Sequence, residues 1–238
     1  MPVAIITGAS KGLGRALAGA LAGRGWDLVV DARSAGPLAA AAGELRAAGT
    51  RVVALPGDVT DADHRSALVG AARELGGLDL LVNNASVLGA EPLARLADHT
   101  LAGLRAALEV NAVAPLGLVQ EALPLLRAGS YADGAGGAVL NVSSDAAAEA
   151  YETWGGYGAS KAALDQWSAV LAVEEPGLRV WWVDPGDMRT DLYKAAVPAD
   201  DDSDRPEPAT VVPALLRLLD ARAASGRYSA PDLQAGAR

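Results

Sequence analysis

Six short apolar runs recur along the chain and alternate with stretches of mixed polarity. Apolar runs of this length, rich in Val, Leu and Ile, are typical of parallel β-strands that helices cover on both faces. The runs lie at residues 3–6, 26–30, 51–55, 78–82, 138–142 and 178–183.

The intervals between these runs carry the period of amphipathic helices. Leu13, Leu17 and Leu21, for example, follow one another at four-residue spacing, which places them on one helical face. Strand and helix therefore alternate, and the pattern predicts an α/β fold with a Rossmann-like, doubly wound parallel sheet. A last helix at about residues 209–224 and a short edge strand at 226–229 complete a single domain over residues 1–238.

Composition narrows the range of functions. The chain has 238 residues and a formal net charge of −9, and this acidic balance argues against nucleic acid or an anionic membrane surface as a partner. There is no cysteine, and His64 and His99 are isolated, so we expect no metal site. No apolar run approaches the roughly 18 residues of a membrane span. Because a strand-like run begins at residue 3, we expect a cytoplasmic protein without a signal peptide.

Three glycines follow the first predicted strand and precede the first predicted helix. Gly8, Gly12 and Gly14 let the backbone turn tightly and approach a pyrophosphate, which the free N–H groups of a helix start attract. The spacing predicts a dinucleotide-binding loop. The alternative is an ordinary tight connection between strand and helix.

Tyr157 and Lys161 lie four residues apart, so on a helix they share one face. The unperturbed pKa of a phenol is about 10, roughly three units above neutrality. An ammonium group about 4 Å away, at an effective dielectric of about 20, lowers that pKa by a comparable amount. The pair is therefore a candidate acid/base in which Lys161 lowers the pKa of Tyr157.

Further motifs accompany this pair in one order along the chain. Residues 7–14 read Thr-Gly-Ala-Ser-Lys-Gly-Leu-Gly, residues 83–86 read Asn-Asn-Ala-Ser, and Ser144 stands thirteen residues before Tyr157. Together the motifs resemble the short-chain dehydrogenase/reductase family over about residues 3–190. The resemblance implies a catalytic tetrad at Asn111, Ser144, Tyr157 and Lys161.

Each member of this tetrad has a role that the resemblance implies. Ser144 and Tyr157 would hydrogen-bond the substrate carbonyl oxygen, and Tyr157 would deliver the proton. Lys161 would also bind the nicotinamide ribose. The Asn111 side chain, with a local backbone irregularity, would hold a water that relays protons to Lys161. The alternative for Asn111 is a side chain that bonds its own helix backbone.

The resemblance also implies which residues hold a nicotinamide dinucleotide. They belong to the glycine loop, to the ends of the predicted strands and to the tetrad. Asp58 is equally a candidate N-cap, because it lies just ahead of a helix. Asn83 is expected to bond backbone across the sheet, and the residue after Ala85, usually glycine in the family, is Ser86 here. The implied contacts are Gly8, Ser10, Lys11, Gly12, Leu13, Gly14, Arg33, Asp58, Val59, Asn84, Ala85, Tyr157, Lys161, Pro185, Gly186 and Thr190.

Residues near the second predicted strand distinguish NADP from NAD. Lys11 and Arg33 stand where NADP-preferring members of the family carry cations, which accommodate the 2′-phosphate. An alignment shifted by one residue would instead make Asp31 the ligand of the ribose 2′-OH and favour NAD. We therefore expect NADP(H), with NAD(H) as the alternative.

The substrate side has weaker markers. In the family it is formed by the segment between Ser144 and Tyr157 and by a lid, here the polar, Pro-rich stretch at about 187–208. Within that lid the acidic run at 200–204 is typical of a solvated face. The resemblance also implies a homodimer or homotetramer formed through the helices of Asn111 and Tyr157. The candidate substrate contacts are Ser144, Tyr151, Trp154 and Tyr193.

The predicted function is that of an NADP(H)-dependent oxidoreductase, which transfers a hydride between the nicotinamide and a small carbonyl or alcohol substrate. One alternative is an NAD-dependent alcohol dehydrogenase of the same family. Another is a protein that binds NADP(H) and senses it without turnover. Such sensors typically lack the tyrosine or the lysine, and this chain has both Tyr157 and Lys161.

Overall fold

Strand and helix alternate along the chain, as the hydrophobic pattern predicts. The structure, a computed structural model, describes residues 1–129 and 136–236, so the predicted domain range of 1–238 includes residues outside that description. The strands are β1 (Val3–Ile6), β2 (Asp27–Ala32), β3 (Val52–Pro56), β4 (Leu80–Asn83), β5 (Ala138–Val142), β6 (Arg179–Asp184) and β7 (Gly226–Ser229). The helices are α1 (Gly12–Ala22), α2 (Ala35–Arg46), α3 (Ala62–Leu75), α4 (Leu101–Leu108), α5 (Ala114–Ala128), α6 (Gly155–Glu174), α7 (Asp191–Ala196), α8 (Pro208–Asp220) and α9 (Ala230–Ala235). A π-helical turn, Glu109–Val113, joins α4 to α5, and a 3₁₀ turn, Asp145–Ala147, follows β5.

All seven strands are parallel and pair in the order β3-β2-β1-β4-β5-β6-β7. Apolar side chains alternate between the two faces: Ala4 and Ile6 of β1 belong to one core layer, while Ile5 belongs to the other. Helices cover both layers. The predicted doubly wound α/β fold is confirmed.

Several strands extend past the apolar runs at their carboxyl ends. Asp31 pairs with Leu55, Asn83 with Asn141, and Asp184 with Ser229. Polar residues continue the ladder here because their side chains find hydrogen-bond partners at this edge of the sheet.

The strand order reverses at β1, which lies between β2 and β4. In open α/β sheets a crevice forms at this point, outside the carboxyl ends of the strands, and ligands bind there. The fold therefore directs the glycine loop after β1 and the Asn-Asn-Ala-Ser segment after β4 into one crevice.

A buried polar chain fixes α6 to the sheet. The Asn83 amide donates to Asn141 Oδ1 at 2.8 Å, the Asn141 amide donates to Ser168 Oγ at 2.7 Å, and Ser168 donates to the Leu164 carbonyl at 2.6 Å. The expectation that Asn83 bonds backbone across the sheet was wrong for its side-chain amide, because Asn141 offers a side-chain oxygen at the opposite position of the parallel pair. Side-chain amides thus link β4, β5 and α6.

One helical stretch, Leu101–Ala128, is apolar and long enough to cross a membrane by length and composition alone, and 39% of its most apolar window is buried inside the fold. The expectation that no run approaches that length was therefore wrong by this measure. Its inner residues Leu118, Val119 and Leu126 lie in the core layer beside α3 and α6, as in the core helix of a globular domain.

We expect Asn141→Ala to lower the free energy of unfolding by about 2–4 kcal/mol, because the buried Asn83 amide loses its acceptor and Ser168 loses its donor. Urea denaturation followed by circular dichroism measures the loss. Ser168→Ala is the matched control and should cost about half as much, since Asn83 keeps its partner. A loss below about 1 kcal/mol in Asn141→Ala would show that these amides do not hold the sheet to α6.

Candidate active site

A cavity of about 1100 Å³ runs along the carboxyl edge of the sheet, from the glycine loop past β4 and β5 to α7. This volume is at the upper end of small-molecule sites and suits a dinucleotide together with a substrate. Among the described residues, Gly14, Asn111 and Tyr151 are predicted site residues that lie outside the cavity lining. The predicted residues that line it are Gly8, Ser10, Lys11, Gly12, Leu13, Arg33, Asp58, Val59, Asn84, Ala85, Ser144, Trp154, Tyr157, Lys161, Pro185, Gly186, Thr190 and Tyr193.

The glycine loop is packed too closely for side chains at two positions. A Cβ on Gly14 would lie 2.5 Å from Asn84 Nδ2 and 2.6 Å from the Gly8 carbonyl oxygen. Gly8 has a φ of +65°, and a Cβ there would lie 3.0 Å from Ala85. Within the described chain, the start of α1 at Gly12 has no side-chain cap, so its amide groups face the cavity uncapped. This arrangement fits a pyrophosphate.

Asp31, near the carboxyl end of β2, accepts a hydrogen bond from the glycine loop. Its Oδ1 accepts the Gly8 N–H at 2.8 Å, its Oδ2 lies 3.2 Å from His64 Nε2, and only 1% of the residue is exposed. Both carboxylate oxygens therefore have partners inside the protein. Asp31 and Arg33 both line the cavity, but Arg33 is exposed whereas Asp31 is buried.

Asp58 accepts hydrogen bonds from Thr60, two residues later in the same turn. Asp58 Oδ1 accepts from the Thr60 amide at 2.9 Å and from the Thr60 hydroxyl at 2.8 Å. The Thr60 amide, with a smaller contribution from Arg33, lowers the pKa of Asp58. The N-cap of α3 is Asp61, which accepts the Asp63 amide, so the proposed capping role of Asp58 at this helix was wrong.

Tyr157 and Lys161 share one buried face of α6, with 6% and 2% of each residue exposed. Lys161 Nζ donates to the Val142 carbonyl at 2.8 Å and lies 5.5 Å from the centre of the Tyr157 ring. Burial lowers the pKa of Lys161 to about 8, although the charge of Asp165 opposes this effect.

The pKa of Tyr157 moves opposite to the sequence prediction. Burial raises it well above the ordinary value for a phenol, the charges of Asp145 and Asp184 raise it further, and a hydrogen bond with Ser86 lowers it. The prediction that Lys161 lowers the pKa of Tyr157 was wrong for the chain by itself, because desolvation of the phenol outweighs any nearby positive charge.

Asn111 lies in the π-helical turn, which is the local backbone irregularity expected there. Its Oδ1 accepts from Ser86 Oγ at 3.1 Å and from the Val87 amide at 2.9 Å, and its Nδ2 donates to the Val87 carbonyl and to Ser160 Oγ, both at 2.8 Å. These four bonds use the whole capacity of a carboxamide. The side chain therefore fastens the loop after β4 to α6; it neither bonds its own helix nor has capacity left for a water.

Ser144 has a charged neighbour that the motifs did not indicate. Ser144 Oγ donates to Asp145 Oδ1 at 2.9 Å, and Asp145 lines the cavity. The Tyr151 hydroxyl, predicted to contact substrate, instead shares its one proton between Asp145 Oδ2 at 3.0 Å and Glu149 at 2.8 Å, and 43% of Tyr151 is exposed. Tyr151 thus holds Asp145 from outside the cavity.

Trp154 and Tyr193, which are predicted to contact substrate, both line the cavity. The Trp154 ring meets the Tyr157 ring edge-on, with centroids 5.7 Å apart. The Tyr193 hydroxyl donates to Asp200 at 2.5 Å, and the Arg205 guanidinium lies 4.2 Å above the Tyr193 ring. Asp200 therefore joins Tyr193 to Arg205, while 42% of its side chain stays exposed to solvent.

A hydrogen-bonded group of polar residues next to the predicted tetrad was not predicted from the sequence. Asp165 accepts from Ser143 Oγ and from Arg227 Nε, the latter at 3.1 Å, while Arg227 Nη2 donates to the Ser144 carbonyl at 3.0 Å. The four-residue spacing from Lys161 to Asp165 was a usable signal. Arg227 had none, because it reaches this site from β7 through the fold alone.

Comparison with known proteins agrees with this geometry. A family model described as short chain dehydrogenase matches residues 2–201. An uncharacterized oxidoreductase of Mycobacterium tuberculosis is 34% identical over 232 residues, which cover 96% of this chain and 85% of the relative. Sepiapterin reductase of Rattus norvegicus is 36% identical over 204 residues, which cover 82% of this chain and 77% of the relative.

Solved structures share the fold over nearly the whole chain. An alcohol dehydrogenase from the archaeon Thermococcus sibiricus, complexed with 5-hydroxy-NADP, has a TM-score of 0.85 at 26% identity and covers 96% of this chain and 95% of that one. A short chain dehydrogenase from Escherichia coli, complexed with NADPH, has a TM-score of 0.88 at 27% identity and covers 96% of both chains.

The family-model match and the nucleotide complexes of these related structures, together with the glycine loop and cavity, identify an oxidoreductase that uses a pyridine nucleotide. Within that class, the chain belongs to the short-chain dehydrogenase/reductase family.

The lowered pKa of Lys161 predicts how stability depends on pH. Between its folded value of about 8 and its ordinary value of 10.5, the unfolded chain binds more protons than the folded chain, so stability rises with pH. The raised pKa of Tyr157 opposes this only above about pH 10. We expect the free energy of unfolding to rise from about pH 8 to about pH 10, by up to about 1.4 kcal/mol per unit for one proton.

Urea denaturation at several pH values measures this slope. Lys161→Met should reduce the slope, whereas Lys194→Met, which removes an exposed ammonium, should leave it unchanged. Equal slopes in the wild type and in Lys161→Met would contradict the assignment.

We expect Asp31→Ala to weaken NADPH and NADH binding by similar factors, about tenfold each, because the variant loses the acceptor that holds the Gly8 amide. Thermal unfolding against titrated nucleotide measures both affinities. Asp31→Asn is the matched control, since its amide oxygen still accepts from Gly8. A loss confined to NADH would instead make Asp31 a ribose ligand.

Proposed function

We propose that the protein is an NADP(H)-dependent oxidoreductase that interconverts a carbonyl and an alcohol of a small-molecule substrate. The observation that carries the proposal is the convergence of Ser144, Tyr157 and Lys161 in the cavity that begins at the glycine loop. The proposed nucleotide site and the acid/base pair therefore lie in the same cavity. Hydride transfer requires this, because the nicotinamide and the substrate must be in contact.

The residues that line this cavity fit the cofactor. The uncapped start of α1 and the closely packed Gly8 and Gly14 accept the pyrophosphate. Pro185, Gly186 and Thr190 hold the nicotinamide end, and Lys161 holds its ribose. The bound cofactor supplies or accepts the hydride; the protein's own residues manage the proton and the charge on the substrate oxygen.

Tyr157 is the general acid in reduction and the general base in oxidation. A buried phenol with a raised pKa is protonated at neutral pH and so holds the proton that the substrate oxygen needs. Ser144 provides a second hydroxyl for that oxygen, in the manner of an oxyanion hole. To donate there, the Ser144 hydroxyl turns away from Asp145 Oδ1, which accepts its hydrogen bond in this structure.

The preference for NADP(H) rests on charge at the adenosine end. Arg33 is exposed at the cavity wall, and Lys11 lines the cavity while its Nζ is paired with Asp191 at 2.7 Å, an exposed ion pair of the kind that contributes little to stability. Asp31, the residue that would favour NAD, is 1% exposed and has one partner inside the protein on each carboxylate oxygen. The complexes of the Thermococcus sibiricus and Escherichia coli proteins contain NADP-type nucleotides, which supports the same preference.

The names of several relatives support the reaction class. Sepiapterin reductase, a glycine betaine reductase and a cis-4-hydroxycyclohexanecarboxylate dehydrogenase are each at least 35% identical to this chain over about 200 residues. Their substrates differ widely, so the proposal stays with the carbonyl/alcohol class.

Assembly and location extend the proposal. Val113, Val170 and Val173 are 53%, 43% and 81% exposed on the π-helical turn and on α6. Exposed apolar residues on these helices support a homodimer or homotetramer, and light scattering of the purified protein tests it. The cytoplasm stays the proposed compartment, and fractionation of cells that produce the protein tests it.

We expect Tyr157→Phe to lower kcat by at least about 10²-fold, because it removes the general acid. The dissociation constant for NADPH should change by no more than a few-fold. Steady-state kinetics over a panel of aldehydes and ketones, with fluorescence titration of NADPH, measure both. A near-wild-type rate in the variant would rule out the proposed role of Tyr157, and a wild type that binds NADPH without turning over any carbonyl would favour the sensing alternative.

We expect Lys11→Ala and Arg33→Ala each to weaken NADPH binding about 10- to 100-fold, because each removes a charge-assisted hydrogen bond to the 2′-phosphate. NADH binding should stay within about two-fold, since NADH lacks that phosphate. Arg73→Ala, which removes an exposed cation from α3, is the control for net charge. Equal losses for both nucleotides would contradict the NADP assignment.

A further inference from the structure

Asp165 is an ionisable residue next to the predicted tetrad, and the proposed reaction gives it no role. It lies one helical turn after Lys161 on α6, and 15% of its side chain is exposed. Its Oδ1 accepts a hydrogen bond from Ser143 Oγ, and its Oδ2 accepts one from Arg227 Nε at 3.1 Å. One carboxylate therefore joins α6 to the end of β5 and to β7.

Three consecutive residues, beginning at the end of β5, are each held by a different side chain. Lys161 Nζ donates to the Val142 carbonyl at 2.8 Å, and Arg227 Nη2 donates to the Ser144 carbonyl at 3.0 Å. Between these two, the Ser143 hydroxyl donates to the carboxylate on α6. The segment thus connects two members of the predicted tetrad, Ser144 and Lys161, and the carboxylate holds its middle residue.

Ser143 is suited to pass this hold on to its neighbours. Only 1% of the residue is exposed, and its backbone N–H donates to the Val183 carbonyl of β6 at 2.8 Å. Both its backbone and its side chain are therefore fixed, one by the sheet and the other by α6. In the proposed reaction the Ser144 hydroxyl turns from Asp145 to the substrate oxygen. That rotation brings the hydroxyl to the right place only if the backbone stays still.

A carboxylate at this position has a cost that an apolar residue would avoid. Burial raises the pKa of Asp165, while the hydrogen bonds from Ser143 and Arg227 lower it. Replacing a buried ion pair by apolar residues of similar volume is often neutral or stabilising, so stability alone does not account for Asp165. What the carboxylate adds is two strong acceptors with fixed directions, one for the serine and one for the guanidinium.

We propose that Asp165 is a positioning residue that acts through Ser143. By holding the Ser143 hydroxyl, the carboxylate keeps Ser144 and Lys161 at the separation that the reaction needs. Arg227 in turn keeps the carboxylate in place. Asp165 does not line the cavity, so it acts without touching substrate or cofactor. The proposal rests on the proposed function, because it requires Ser144 and Lys161 to take part in the reaction.

The test compares Asp165→Ala with Asp165→Asn in carbonyl reduction by NADPH. We expect Asp165→Ala to lower kcat about tenfold, because a slight misplacement of reacting groups is costly. The NADPH dissociation constant, measured by thermal unfolding, should stay within about three-fold of wild type. Asp165→Asn has an amide oxygen that still accepts from Ser143, so its kcat should stay within about three-fold of wild type.

A second pair of variants shows whether the effect passes through Ser143. Ser143→Ala alone should lower kcat about tenfold. Adding Asp165→Ala to it should cost no more than about two-fold further, because the contact is already absent. Glu175→Ala is the matched control: Glu175 accepts from Arg127 at the far end of α6, and 18% of its side chain is exposed. This control should leave kcat within about two-fold of wild type.

Three results would overturn the proposal while the proposed function stands. One is a kcat in Asp165→Ala within about two-fold of wild type. The second is an equal loss in Asp165→Asn and Asp165→Ala, which would make the charge near Lys161 the cause. The third is a loss from Asp165→Ala in the Ser143→Ala background as large as its loss in the wild type, which would show that the two residues act independently.

The test still decides if Asp165→Ala does not fold, which circular dichroism shows. A loss of about tenfold in Ser143→Ala with a near-wild-type kcat in Asp165→Asn would then support the proposal, and a near-wild-type kcat in Ser143→Ala would overturn it. A wild type that binds NADPH but oxidises no alcohol and reduces no carbonyl would instead remove the proposed function, and this proposal with it.

Discussion

The candidate site depends on one side chain, the carboxamide of Asn111. Its four hydrogen bonds join the π-helical turn, the loop after β4 and the start of α6. Because every donor and acceptor of the amide is used, a small displacement of any of the three segments breaks a buried bond. Asn111 therefore fixes the loop that carries Ser86 and Val87 against Ser160 of α6, three residues after Tyr157, and the π-helical turn that carries Asn111 is part of the same arrangement.

Burial sets the electrostatics of the pair that Asn111 supports. Tyr157 and Lys161 are both almost fully buried, so desolvation drives both towards their neutral forms at physiological pH. A neutral phenol beside a readily deprotonated ammonium is suited to proton transfer in either direction. Asp165, held by Ser143 and Arg227, adds a negative charge that opposes the lowering of the Lys161 pKa.

The fold could be predicted from the sequence because each buried strand is a short, uninterrupted apolar run, and the site residues could be found because their spacing is preserved in one order. Side-chain directions could not be predicted. Whether Asp31 points at a ribose or at Gly8 depends on strand register, and Tyr151 turns outward because Asp145 and Glu149 offer it acceptors. The direction of the Tyr157 pKa depends on burial, which arises only when α6 packs on the sheet.

The most direct test of the account is to follow deuterium from NADPH that is deuterated at both C4 positions of the nicotinamide into the product of an aldehyde or ketone screen, by mass spectrometry. The account predicts one deuterium on the carbinol carbon of the alcohol, with a higher rate from labelled NADPH than from equally labelled NADH. An alcohol product without the label, or no product from a chain that binds NADPH, would contradict the central claim that the Ser144, Tyr157 and Lys161 cavity performs hydride chemistry on a carbonyl.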